Sequence, residues 1–136
     1  MVLMKFYKLQ KQVDFLEENK TCSAVFHNYN ILNENKLIPF KHQKLIKDYV
    51  FNIDAILDDW FIQTATLVFR KSVLDSNKRI SDLHSFDRTL VYDCALNGNI
   101  GFINNYMSVY RVHANGITKS RNQKLIYENN ILKSII

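Results

Sequence analysis

One acid and two basic side chains are the residues of this chain best suited to chemistry. Asp87 lies in the first turn of a predicted helix, and Arg111 and His113 share one face of a predicted strand, because side chains alternate along a strand. A guanidinium and an imidazole that point the same way can bind a phosphate group, and a carboxylate can accept a proton. These three residues therefore predict a site that handles phosphate.

The helix and the strand that would position these residues are indicated by spacing. Apolar side chains recur every four residues from Phe86 to Cys94, Ser85 can cap the helix, and Gly98 suits its C-terminal end. A short turn follows, and the strand is predicted from Tyr106 onward. The acid lies near the positive end of the helix dipole, which favours an ionised carboxylate. An acid is also common there for capping alone, so both roles stay open.

The stretch FDRTLVYDCALNGNIGFINNYMSVYRVH, at 86–113, resembles the C-terminal part of the catalytic domain of family-2 glycosyltransferases, in which an acid-led helix, a G-x-I turn and a closing Y-R-x-H recur. KLQKQVDFLEEN, at 8–19, is similar to the helix that follows the family's metal-binding D-x-D region, and WFIQTATLVFRKSVL, at 60–74, is similar to its acceptor-side strand. The resemblance covers roughly residues 7–117 in the family's order. It implies a partial GT-A-like fold of the α/β class, with a mixed sheet flanked by helices.

The resemblance also implies a role for each matching residue. Asp87 corresponds to the family's catalytic acid and would take the proton from the acceptor hydroxyl, and His113 corresponds to the histidine near the metal and the diphosphate. Arg111 would bind the diphosphate or brace the following loop through a carboxylate, and both roles stay open. Lys119 and Arg121 lie in that loop, which can close over an anionic ligand.

A second group of residues has the composition of a sugar-binding surface. An indole can stack on the C–H groups of a sugar while amide and hydroxyl side chains meet its hydroxyls. The group consists of Trp60, Gln63, Thr64 and Thr66. The resemblance implies that these residues bind the acceptor. A core tryptophan followed by strand threonines would give the same pattern, so this alternative stays open.

The chain departs from the family in its metal-binding and nucleotide-binding parts. No D-x-D occurs in the sequence, and Asp58 and Asp59 are an adjacent pair in another context. His113 alone cannot hold Mn²⁺ or Mg²⁺ without carboxylates. We therefore expect a divalent cation in the complete enzyme and none in the isolated chain. We interpret the chain as one domain, residues 1–136, that forms the C-terminal portion of a larger catalytic domain.

Further elements follow from periodicity. Phe6, Leu9, Val13 and Leu16 fall at helical spacing, and we expect this apolar side to pack on the core. Strands at 22–32 and 37–40 predict a β-hairpin near the N-terminus. The other predicted elements are a helix at 46–58, a strand at 61–70 and a C-terminal helix at 119–135.

The amino-acid composition limits the classes of binding partner and the cellular compartment that the chain suits. The net charge of +5 suggests an anionic partner, such as a nucleotide sugar or an anionic lipid surface, or else an ordinary solvated surface. Charge alone would support nucleic-acid binding, but no recognised nucleic-acid motif is present, so we expect none. The chain lacks the run of about 18 apolar residues that spans a bilayer. These features predict a cytoplasmic protein with two free thiols, with peripheral contact at the inner membrane face left open.

The leading functional hypothesis is a portion of a glycosyltransferase that moves a sugar from a nucleotide-sugar donor to a hydroxyl of a glycan or lipid-linked acceptor in polysaccharide or glycan synthesis. The alternative is a non-catalytic remnant or partner-binding module of the same fold. Either hypothesis leaves surface uncovered in the isolated chain, so we expect self-association, with a homo-oligomer as one form.

Overall fold

Two long parallel strands form the centre of the structure, a computed structural model that describes residues 2–76 and 86–112. Six strands are found in this part of the chain: β1 (Val2–Met4), β2 (Cys22–Asn33), β3 (Lys36–Pro39), β4 (Tyr49–Phe51), β5 (Val68–Phe69) and β6 (Asn99–Val112). The helices are α1 (Lys8–Glu18), α2 (Ile53–Asp58), α3 (Ser72–Asp75) and α4 (Phe86–Leu96), with a 3-10 turn at Thr64–Thr66. The fold is therefore mixed α/β, as predicted.

The remaining strands are attached to β2 and β6. Strands β1 and β4 pair antiparallel with β6, and β3 and β5 pair antiparallel with β2. The predicted hairpin is confirmed as β2–β3. Its turn residues Glu34 and Asn35 both have positive φ, 48° and 69°, which is the backbone that lets a two-residue loop join twisted strands.

A bulge in β6 interrupts the central ladder. Asn104 and Asn105 are inserted between the residues of β6 that pair with His27 and Asn28. The Asn104 side chain accepts a hydrogen bond from Asn28 (3.1 Å), and its backbone N–H donates to a carboxylate oxygen of Asp48 (2.7 Å). The bulge thereby fixes the loop before β4 against the sheet.

The larger part of the core lies between the sheet and helices α2 and α4. Phe26 of β2 is its centre, with ring centroids 5.0 Å from Phe102, 6.1 Å from Phe61 and 6.2 Å from Phe51. Cys94 of α4 is buried beside them and unpaired, as predicted. Burial raises the pKa of this thiol to about 12. These contacts fix α4 against the sheet.

A smaller apolar cluster lies under α1, on residues such as Leu16, Val25 and Met107. Phe15 of α1 lies directly over Gly101 of β6, where a Cβ would fall 2.1 Å from the ring. Helix and strand can approach this closely because residue 101 lacks a side chain.

Helix α1 faces the sheet with a different side from the one we predicted. Phe6, Leu9 and Val13 are 97%, 58% and 44% exposed, whereas Lys8 and Gln12 are buried. The prediction that the apolar side packs on the core was therefore wrong for these three residues. The helix turns this way because Gln12 has hydrogen-bond partners on two other segments.

Gln12 is the central group of a small polar layer beneath α1. Its side-chain N–H groups donate to the carbonyl oxygens of Val25 (3.0 Å) and Thr66 (2.8 Å), and its oxygen accepts from Lys8 Nζ (2.6 Å). Burial lowers the pKa of Lys8, since a charged ammonium loses its hydration there. The layer ties α1 to β2 and to the 3-10 turn.

The C-terminal end of α1 is also held by a distant residue. No basic residue lies in the last turn of α1, but Arg70, which follows β5, donates through Nη2 to the carbonyl oxygens of Leu16 and Asn19. Its Nε donates to the carbonyl oxygen of Cys22 (2.7 Å). The guanidinium thus satisfies carbonyl groups at the negative end of the helix dipole.

Three predicted elements differ from the structure. The helix predicted at 46–58 is wrong in its first half, where β4 forms, because Asn52 caps a shorter helix by accepting from Ala55 N–H (3.1 Å). The strand predicted at 61–70 is reduced to β5, since the 3-10 turn occupies its centre. The final strand starts at Asn99, well before Tyr106, after a turn of only two residues, Asn97 and Gly98. The predicted C-terminal helix lies outside the described residues.

Within residues 2–76 and 86–112, no helix has the length and apolar character needed to cross a bilayer.

Gln12→Ala should lower the free energy of unfolding by about 2–4 kcal/mol, because it removes a buried hydrogen-bond partner from two carbonyl groups and from the Lys8 amine. Gln10→Ala is the matched control, since Gln10 is exposed on the same helix and bonds only to Asp14 in the described part; its effect should stay within about 0.5 kcal/mol. Urea denaturation measures both. Equal effects of the two substitutions would contradict the stabilising role of the buried Gln12 hydrogen bonds.

The burial of His27 leads us to expect a loss of folding stability in mild acid. Its Nδ1–H donates to the Asn28 carbonyl oxygen (2.7 Å), Nε2 is buried without a partner among the described residues, and burial lowers its pKa to about 4 from 6.5. The unfolded chain therefore takes up a proton between pH 6.5 and 4 that the folded chain does not. Stability should fall by about 3 kcal/mol across that window as pH drops.

Urea denaturation at several pH values would measure this loss, with His27→Gln as the comparison. The variant should lose less stability than the parent over the same window, because carboxylate titration is common to both. Identical pH slopes would rule out His27 as the cause.

Candidate functional site

The N-terminal turn of α4 presents the predicted catalytic acid to solvent. Asp87 is exposed in the first turn of an eleven-residue helix. Asp87 is therefore accessible to a ligand, which is one condition that a proton acceptor must meet.

Trp60 is held at the same turn by the residue that follows Asp87. The guanidinium carbon of Arg88 lies 4.1 Å from the centroid of the Trp60 ring, a cation–π contact. Tyr92 of α4 is buried, and its ring centroid lies 6.4 Å from that of Trp60. Burial raises the pKa of Tyr92, with Arg88 acting in the opposite direction. The indole is thus fixed beside the start of α4.

The four residues predicted to bind an acceptor are not equivalent in the structure. All three of Trp60, Gln63 and Thr64 are partly exposed; the first two lie between α2 and the 3-10 turn, and Thr64 is the first residue of that turn. Thr66 is fully buried, and its hydroxyl donates to the carbonyl oxygen of Gln63 (2.7 Å). Thr66 therefore stabilises the turn. This buried position disagrees with the predicted contact between Thr66 and a sugar.

The residues predicted to bind the diphosphate are only partly described. Arg111 is exposed near the end of β6, where its backbone pairs with Leu32 of β2. His113, Lys119 and Arg121 lie outside the described residues. The structure therefore places Trp60 against Arg88, the residue that follows Asp87, and it places Arg111 on strand β6.

A histidine–aspartate pair, which the sequence analysis missed, lies next to Trp60. His42 Nε2 is 2.9 Å from Asp59 Oδ2, and His42 Nδ1 accepts from the backbone N–H of Lys44 (3.1 Å), so Nε2 carries the proton that is donated to Asp59. Lys44 Nζ lies 3.7 Å from Asp58 Oδ2. These contacts hold the loop before β4 against the end of α2. No local pattern could reveal a pair that is 17 residues apart.

The described carboxylates do not fit a divalent cation. Within residues 2–76 and 86–112, no three side chains of His, Cys, Asp or Glu are grouped as a metal site requires. Asp58 and Asp59, the adjacent pair, face Lys44 and His42 instead. The described part of the chain thus offers an acid and an aromatic surface without a set of metal ligands.

No protein-family model matches the chain. Proteins of Mycobacterium tuberculosis and Mycobacterium bovis, described as uncharacterized proteins, are 29% identical to it over 113 residues. The match covers 83% of this chain and 32% of each relative. The chain therefore spans about a third of the length of the curated relatives it matches, and their descriptions assign no activity.

The contact between Arg88 and Trp60 can be measured directly, because Trp60 is the one tryptophan of the chain. Arg88→Gln should make the indole more accessible to acrylamide quenching and lower the free energy of unfolding by about 1 kcal/mol. Lys11→Gln is the control, since Lys11 makes a similar contact with Tyr7 at 5.2 Å on the remote helix α1. Unchanged quenching in Arg88→Gln would show that the guanidinium does not cover the ring.

Proposed function

We propose that the chain is the acceptor-side portion of a glycosyltransferase, which transfers a sugar from a nucleotide-sugar donor to a hydroxyl acceptor in polysaccharide or glycan synthesis. The observation that carries the proposal is the exposed carboxylate of Asp87 in the first turn of α4, with the Trp60 ring held beside that turn by Arg88. The sequence supports the proposal as well, because three stretches that resemble the family occur in the family's order.

Asp87 acts as the general base in this proposal. The carboxylate accepts the proton of the acceptor hydroxyl while that oxygen forms a bond to the sugar carbon and the bond to the departing diphosphate breaks. A carboxylate suits this role because it accepts hydrogen bonds when ionised. The start of the helix orients it toward solvent, where an acceptor can reach it.

Trp60 supplies the acceptor surface. One face of the indole is covered by Arg88, so a sugar ring would stack on the part of the indole that this contact leaves open. Gln63 and Thr64 follow on the same segment and are partly exposed, so they can bind sugar hydroxyls. Thr66 is left out of this surface because it is fully buried.

Donor binding requires residues beyond those described. The family resemblance implies a divalent cation held by carboxylates, and the described carboxylates do not fit one. Arg111, together with His113, Lys119 and Arg121, remains the proposed contribution of this chain to the diphosphate. The relatives are about three times as long as the matched region, which leaves room for a nucleotide-binding part in them.

Two observations favour the alternative, a non-catalytic module of the same fold. The sequence contains no D-x-D, and the described residues group no metal ligands. In that case Trp60 and its neighbours would bind a partner protein or a glycan without catalysing a reaction.

Asp87→Asn in a complete enzyme, rebuilt by fusing a donor half from the family to this chain, should lower turnover by about a hundredfold or more. Asparagine keeps the size of the side chain and removes only the interaction of the charge with the helix dipole, so the melting temperature should fall only slightly. Asp54→Asn is the matched control, because Asp54 is an exposed acid in the first turn of α2.

Turnover of the fusion would be measured as release of the nucleoside diphosphate. Near-normal turnover in Asp87→Asn would return this acid to a purely structural role. A folded fusion without any turnover would favour the non-catalytic alternative.

A further inference from the structure

We propose that the outer edge of β6, between β4 and β1, binds the surface of a bilayer that contains anionic phospholipids. The proposal does not depend on the proposed sugar transfer. Strand β4 pairs with residues 100–102 of β6 and β1 pairs with residues 108–110, so no strand of the described residues covers this edge at 103–107. Exposed lysine and apolar side chains from two segments meet at that gap.

The bulge at Asn104 and Asn105 brings one segment to each side of the gap. The Asn104 side-chain amide donates to the carbonyl oxygen of Ile46 (3.0 Å), in the loop before β4. The Asn105 side chain, in the amide orientation that satisfies both of its polar groups, accepts from Lys11 Nζ of α1 (2.9 Å). Ile46 and Lys11 therefore flank the same two residues, although they are distant in sequence.

The segment before α1 lies on the same edge. The Lys5 backbone N–H donates to the Met107 carbonyl oxygen of β6 (2.9 Å). The Nζ atoms of Lys5 and Lys11 lie 5.7 Å and 5.2 Å from the centroid of the Tyr7 ring. Phe6 packs edge-on against the same ring, with the centroids 5.6 Å apart. Two amines and one phenyl ring thus gather next to the bulge.

The charge of this edge is positive. Lys5, Lys11 and Lys47 are exposed there, and the acid of the loop, Asp48, already accepts a hydrogen bond from the Asn104 backbone N–H (2.7 Å). The three ammonium groups outweigh this carboxylate, and the net charge of +5 acts in the same direction. Each lysine close to an anionic bilayer raises the partition coefficient by about fivefold.

The apolar side chains of the edge suit a bilayer interface. Phe6 is 97% exposed and Ile46 is 72% exposed. Both lose contact with water when they enter the interface of a bilayer, while the ammonium groups of the lysines stay at the level of the lipid headgroups.

A strand of another protein fits this edge less well. Strand addition requires free backbone groups on the edge strand. The Asn104 N–H is bonded to the Asp48 carboxylate, and the Met107 carbonyl oxygen is bonded to the Lys5 N–H. What the edge offers a partner is therefore its cationic and apolar side chains, which is what an anionic lipid surface binds.

Sedimentation of the full chain with lipid vesicles tests the charge of the edge. Vesicles of phosphatidylcholine with about 30% phosphatidylserine should bind the chain at least about tenfold more tightly than pure phosphatidylcholine, and about 0.5 M salt should weaken this binding. Lys5→Gln with Lys47→Gln should weaken it by about tenfold or more. Lys20→Gln with Lys36→Gln is the matched control, since both lysines are exposed and lie before β2 and on β3, and the net charge falls equally.

A second pair of variants tests the apolar part at unchanged charge. Phe6→Gln with Ile46→Gln should weaken binding to the anionic vesicles by about tenfold, and folding is retained because both residues are exposed. Leu37→Gln with Ile38→Gln, at residues 58% and 50% exposed on β3, should bind like the parent.

The proposal is overturned if the parent chain does not bind the anionic vesicles, if it binds neutral vesicles equally well, or if the edge and control variants lose binding equally. Binding of a single-stranded RNA oligonucleotide that depends on Lys5 and Lys47, without binding to vesicles, would assign the edge to nucleic acid and would overturn it as well.

Discussion

The parallel pairing of β2 with β6 is the constraint on which the rest of the structure depends. Every other strand of the described residues pairs with one of these two. Parallel strands cannot be joined by a tight turn, so the chain must cross from the end of β2 back to the start of β6. Helices α2 and α4 lie on that crossing, and their apolar sides fill the core around Phe26. The position of Asp87 follows from this return path, because it opens the last helix before β6.

Sequence patterns were sufficient to predict those elements whose structure is decided by residues close to them in the chain. The hairpin β2–β3 was predictable because Glu34 and Asn35 stand between two strand-like runs, and α4 was predictable from its apolar spacing. The side of α1 that faces the sheet was not, since it is set by Gln12 and its partners Val25 and Thr66, the second of which is 54 residues away. Apolar spacing on a helix identifies a side, but buried amide groups can reverse which side is covered.

The candidate site shows the same division. Asp87 could be found from its place at a helix start and from a family resemblance, whereas Arg88 and the pair His42–Asp59 could not, because each contacts a residue distant in sequence. Thr66 was a candidate ligand-binding residue because a threonine looks the same in sequence whether its hydroxyl faces solvent or, as in the structure, the Gln63 carbonyl group. Burial separates the two cases, and sequence alone does not reveal it.

The hydrogen bonds from Arg70 make the stability of α1 depend on a residue that is synthesised much later. The helix is short, no charged side chain of its own last turn offsets its C-terminal end, and helices of this length are marginal in water by themselves. Asn19 closes the Phe15 carbonyl locally, but the side-chain donor to the Leu16 carbonyl is a residue that a ribosome adds about fifty positions later. During synthesis the last turn of α1 therefore lacks this support until Arg70 has emerged.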